Sequence, residues 1–125
     1  MHSHEWMSGG AIFYINTLNN KKFKTIFTTH ATMLGRAMTG SGYNIYNLPN
    51  SFDAEKNAYK VGVHTKFQTE KALAHNSQCF TTVSNITNEE AKKFYKKEAD
   101  ILLYNGFNTN QFGDYEELKF KKKKI

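Results

Sequence analysis

Apolar positions change period several times along the chain, and each change marks an element. In 7–19, MSGGAIFYINTLN, the residues Ala11, Ile12, Ile15 and Leu18 recur at helical spacing and give a helix one apolar face; NNKK at 19–22 ends it. Residues 24–29, KTIFTT, are β-branched and aromatic and predict a strand. A short helix is expected over 31–38, closed by TGSG. A loop of Gly, Tyr and Asn containing the single proline, Pro49, then runs to about residue 52. A long helix is expected over 53–76, with Ala58, Val61, the Ala72–Leu73–Ala74 cluster and several aromatics as its buried stripe. CFTTVS at 79–84 predicts a second strand. TNEE at 87–90 has the form of a capping box, with Thr87 as N-cap and Glu90 reaching back, and opens a helix to about Lys97. DILLY at 100–104 predicts a third strand, followed by a turn at Asn105–Gly106; after residue 112 the apolar pattern fades.

Strands alternating with helices imply parallel pairing through right-handed crossovers, an α/β fold with helices on both faces of a Rossmann-like sheet. Ligands of such open sheets bind outside the carboxyl ends of the strands. His30 follows the first predicted strand, Ser84 ends the second and Asn105 follows the third, so all three lie on one rim. HSHEW at 2–6 reads as the polar end of a further strand whose body is missing. A sheet lacking an inner strand leaves an edge unpaired, so the sheet is expected to be incomplete and the chain a piece of a larger protein. The expected division is a partial Rossmann-like domain over 1–112 and a basic tail over 113–125.

Composition adds little to that picture. With 39% apolar and 14% aromatic residues among 125, the chain can form one small core. No apolar run approaches the length of a membrane span, and the N-terminus has no basic-then-apolar leader pattern. A single cysteine, Cys79, fits a reducing, cytoplasmic setting. The net charge of +6 suggests an anionic partner until it is mapped: KFKKKKI at the end holds five lysines, and without them the charge is +1. A lysine tail can touch nucleic acid or anionic lipid, but as a frayed, solvated end it needs neither partner, and neither is expected.

Individual chemical signals are sparse. His2 and His4 point the same way in an extended segment, as metal ligands can, but no cysteine or carboxylate cluster completes a site. His64 and His75, eleven residues apart, read as surface or packing residues. The glycines form neither a dinucleotide fingerprint nor a P-loop, and Ser84 lies in no nucleophile motif. No metal or cofactor is expected.

Four blocks taken together are more specific. HSHEW, FTTHATMLGR, CFTTVSNIT and YNGFN occur in the order and spacing that glycogen synthases show, and EKALAH at 70–75 resembles the helix that precedes their FTTVS strand. The resemblance is to the eukaryotic-type enzymes and their bacterial relatives and covers about residues 2–112. It implies part of the amino-terminal domain of a retaining glycosyltransferase of two-domain GT-B architecture, which transfers glucose from a nucleotide sugar to an α-1,4-glucan. By position it implies His30 against the donor sugar as the catalytic candidate. It places Arg36 near the donor phosphates, Asn105 and Gly106 facing the sugar, and Glu5 and Trp6 near the acceptor glucan. The family's glycine-rich donor loop has no counterpart before His2, Tyr104 stands where proline is usual, and the nucleotide-binding domain is absent. The fragment is therefore expected to be inactive alone, and the partners expected are a missing C-terminal domain or further copies of the chain in a homo-oligomer. The alternative is a non-catalytic glucan-binding or regulatory module.

Overall fold

Two near-identical tetrapeptides, IFTT and CFTT, make the centre of the sheet. Their β-branched and aromatic residues suit extended backbone, and period-two alternation puts Phe27 and Thr29 on one face and Ile26 and Thr28 on the other. The structure, a computed structural model, describes residues 1–18 and 22–108. In it β1 (His2–His4), β2 (Ile26–Thr29), β3 (Cys79–Thr82) and β4 (Ile101–Leu102) form a four-stranded parallel sheet in the order β1-β2-β3-β4. Phe27 pairs with Phe80 and Thr28 with Thr81. The HSHEW segment thus supplies a strand after all, pairing His4 with Thr28.

The helices are α1 (Glu5–Ser8), α2 (Gly10–Thr17), α3 (Met33–Gly40), α4 (Ala54–Lys60), α5 (His64–Asn76) and α6 (Asn85–Tyr95). Sequential strand order returns every right-handed crossover to the same side. The described helices accordingly stack on one another, α2 and α6 both against α5. This differs from the expectation of helices on both faces, because covering the second face needs a reversal of strand order. On the covered face Phe27 and Phe80 stack 5.9 Å apart, and Tyr95 meets Phe80 edge-on while also touching Phe67. All four aromatics are buried, each burial contributing about 1.5–3 kcal/mol.

Three predicted elements change on folding. The long helix over 53–76 is two helices, interrupted at Gly62, whose φ is 75°. Gly62 N–H bonds Tyr59 O at 3.1 Å and Val63 N–H bonds Ala58 O at 2.9 Å, the pair of bonds by which a left-handed glycine stops a helix. The first helix keeps only Ile12 of its predicted stripe fully buried, and Leu18 is exposed. The capping box at Thr87 does not form. Ser84 is the N-cap, its Oγ accepting from Thr87 N–H at 3.1 Å, and Glu90 bonds Thr32 instead. Residues 113–125, the predicted basic tail, lie outside the described residues.

Candidate functional site

At the carboxyl end of β1 the chain turns abruptly into α1 through Glu5, whose φ of 62° is a left-handed conformation uncommon for a residue with a side chain. The turn sends the Glu5 carboxylate toward the end of the neighbouring strand, where Oε1 accepts from the His30 backbone N–H at 2.8 Å. His30 is half-buried. Its Nε2 lies 3.0 Å from Nδ1 of His4. The His4 ring lies against His2, tilted by 31° with 4.2 Å between centroids, and His2 Nε2 lies 2.7 Å from Thr28 Oγ1, itself 2.5 Å from Thr81 Oγ1. Burial, then the neighbouring His4, the N-terminal ammonium and His30, lower the pKa of His2. Thr87 Oγ1 donates to the His30 carbonyl at 3.4 Å, joining the start of α6 to the same rim. Among the described residues no group of three or more His, Cys, Asp or Glu side chains is placed to hold a metal ion.

Two residues beyond His30, α3 begins. Its N-cap Thr32 accepts from Gly35 N–H at 3.0 Å and donates to Glu90 Oε2 at 2.5 Å. Met33 N–H donates to Glu70 Oε2 at 2.9 Å, and Tyr95 O–H donates to the same oxygen at 2.6 Å. Glu70 is fully buried, and its Oε1 has no partner among the described residues. Burial pushes the Glu70 carboxyl up to about 7, against the bonds from Tyr95 and Met33; Glu5 adds to the shift and Arg36 opposes it. Burial also raises Glu90 and, with Glu70 beside it, holds the Tyr95 phenol well above its ordinary value. Glu70 thus holds the Met33 N–H and Glu90 the Thr32 hydroxyl at the start of α3. Arg36, exposed in the first turn of α3, is carried with it.

The structure brings Glu5 and His30 into direct contact and sets Arg36 on the helix that follows. Trp6 is half-buried against the core with Lys66 Nζ 5.5 Å from its ring centroid, so its aromatic face is partly covered. Asn105 and Gly106 are exposed beyond β4, on the same edge but on a strand two spacings from β2, about 10 Å away. Ser84 is engaged in capping α6. A groove lined by Ile45, Tyr46, Ile86, Glu89 and Phe94 includes none of Glu5, His30 or Arg36 in its walls.

Sequence reasoning missed His4, Glu70 and Glu90 as parts of this site. Glu70 carried a signal: it falls at helical spacing between Phe67 and Leu73, on the buried stripe of α5. His64 is a packing residue stacked on Tyr59, and His75 is a surface residue whose Nε2 lies 2.8 Å from Tyr95 O.

The model of the glycogen synthase family matches residues 1–125. The chain is 39% identical to glycogen (starch) synthase isoform 2 of Saccharomyces cerevisiae, over 99% of the chain and 18% of that protein. It is 38% identical to glycogen (starch) synthase of Neurospora crassa, over 94% and 17% respectively. Against the liver glycogen (starch) synthase of Mus musculus the figures are 34%, 93% and 16%. The chain thus spans less than a fifth of the length of these curated relatives. With a family match along its whole length and relatives 34–39% identical over nearly all of it, the chain belongs to the glycogen synthase family.

Proposed function

We propose that the chain forms one wall of the catalytic cleft of a glycogen synthase-like, retaining GT-B glycosyltransferase in the cytoplasm. In full length that enzyme moves glucose from UDP- or ADP-glucose to an α-1,4-glucan. Residues 1–112 are then part of its amino-terminal domain, and the chain is inactive alone. His30 stands beside the donor sugar, Arg36 near its diphosphate, Asn105 and Gly106 along the sugar, and Glu5 and Trp6 toward the acceptor. The observation that carries this reading is the Glu5–His30 hydrogen bond. It joins an acceptor-side candidate to a donor-side candidate at the edge where open parallel sheets bind ligands.

The chemistry follows from the residue types. Transfer passes through a positively charged, oxocarbenium-like sugar, and polar groups fixed beforehand around it lower the barrier without reorganising. His30 is held at backbone and ring, which is the preorganisation such a role needs. A guanidinium such as that of Arg36 pairs with a leaving diphosphate through parallel N–H bonds. Only Oε1 of Glu5 is used by a described residue, leaving Oε2 to accept from a sugar hydroxyl. The remaining donor contacts belong to other parts of the full-length enzyme.

The test mixes the purified chain with UDP-glucose or ADP-glucose and glycogen. No glucose incorporation is expected; sustained transfer by the isolated chain would show that one wall suffices and overturn the reading.

A further inference from the structure

We infer that His4 is a positioning residue for His30: it selects the tautomer and ring orientation that His30 presents at the rim. The inference deepens the proposed role of His30 and rests on it for its catalytic meaning, although the pairing can be tested separately. A bond between two imidazole nitrogens needs one N–H and one lone pair, so the 3.0 Å contact between His4 Nδ1 and His30 Nε2 couples the two tautomers. An unconstrained imidazole side chain favours the proton on Nε2. When both rings adopt that form, His30 Nε2–H donates to the Nδ1 lone pair of His4, and the bond is satisfied without cost. The reverse bond would require the minor tautomer in both rings. His30 therefore keeps its proton on Nε2, turned toward β1, and presents Nδ1 as a hydrogen-bond acceptor. An acceptor at that place suits a sugar hydroxyl.

The acceptor ring is built rather than merely adjacent. His4 lies on β1 in register with Thr28, its ring packed against the tilted ring of His2, and His2 is tied through Thr28 to Thr81 on β3. Three strands thus hold the nitrogen that receives the His30 proton. Glu5 separately fixes the His30 backbone, so ring and main chain have independent anchors. A purely space-filling His4 would need its ring but not its lone pair, and substitution can separate these.

The chain is labelled with 15N at histidine, and long-range 1H–15N imidazole spectra are recorded with the rings neutral. The wild-type chain is expected to show His30 as a single Nε2–H tautomer. His4→Phe keeps a ring to pack against His2 but removes the lone pair, and the tautomer preference of His30 should fall roughly fivefold, the worth of one neutral hydrogen bond. His4→Asn places Oδ1 near the lost Nδ1 and should restore the preference. An unchanged His30 signature in His4→Phe would overturn the inference, as would an Nδ1–H tautomer in the wild-type chain. These spectra report only the His4–His30 pair. Failure of the proposed catalytic role would appear elsewhere, as glucose transfer unaffected by loss of His30 when this segment is placed in a full-length relative.

Discussion

Glu70→Gln tests whether a buried carboxyl beneath α3 governs the stability of the site. Glu70 is fully buried, and its carboxyl is raised from 4.5 to about 7, chiefly by burial. Below pH 4.5 folded and unfolded chains both hold the proton, and ionisation costs the fold nothing. As pH rises from 4.5 to 7 the unfolded chain releases the proton while the folded chain keeps it, so stability falls. Above about 7 the folded state bears the whole penalty of a buried charge. The rise from 4.5 to about 7 corresponds to roughly 3 kcal/mol. Glutamine keeps an oxygen for Met33 N–H and Tyr95 O–H and cannot ionise. Urea unfolding followed by the fluorescence of the single tryptophan, Trp6, would be measured from pH 4.5 to 8.5. The variant should match wild type within about 1 kcal/mol at pH 5, the worth of one unsatisfied amide, and exceed it by about 3 kcal/mol at pH 8. The raised Glu90 has the same sign and the lowered His2 the opposite one, but both remain in each protein and cancel in the difference. Parallel stability curves for the two proteins would refute the assignment.

Other substitutions probe the frame around the site. Gly9→Ala should destabilise by about 1–3 kcal/mol in the same unfolding assay, because its Cβ would fall inside the side chain of fully buried Leu73. A loss below 0.5 kcal/mol would mean that Leu73 can move aside. Lys96→Gly should stabilise by about 1 kcal/mol, since Lys96 ends α6 at a φ of 57°; a lower urea midpoint would contradict this. In Glu5→Gly the relief of left-handed strain, about 1 kcal/mol, offsets the loss of one hydrogen bond of similar worth. Global stability should hardly change while amide exchange at His30 accelerates, and unchanged exchange would show that the Glu5 carboxylate does not protect that N–H.

The parts of the fold that were legible in sequence are those set by local pattern. IFTT and CFTT announce strands through residue type alone, and both pair at the centre of the sheet. The order of strands and helices implied a parallel sheet. The same reasoning could not place the helices on one face, because that depends on strand order, which alternation leaves open. The helix stop at Gly62 was hidden by apolar residues continuing at compatible spacing on either side. Near α6 the local code was ambiguous: Ser84 and Thr87 both suit an N-cap, and Glu90 follows Thr87 at capping-box distance. Burial of Glu90 against Thr32, 58 residues earlier in the chain, decides between them. At the site, His30 was legible through its place at a strand end and through the family blocks. Its partners were not, since His4 reaches it through β1–β2 register and Glu5 through a positive φ that no periodicity encodes. Asn105 shares the edge with His30 as expected, yet lateral strand spacing separates them.

The most direct measurement grafts the chain's residues 1–108 in place of the matching segment of the Saccharomyces cerevisiae isoform 2 protein and follows glucose incorporation into glycogen, with and without His30→Ala. If this segment is a competent wall of the cleft, the chimera transfers glucose and His30→Ala lowers kcat by about a hundredfold or more, as loss of a preorganised transition-state contact does. A folded chimera whose transfer rate is indifferent to His30→Ala would contradict the account.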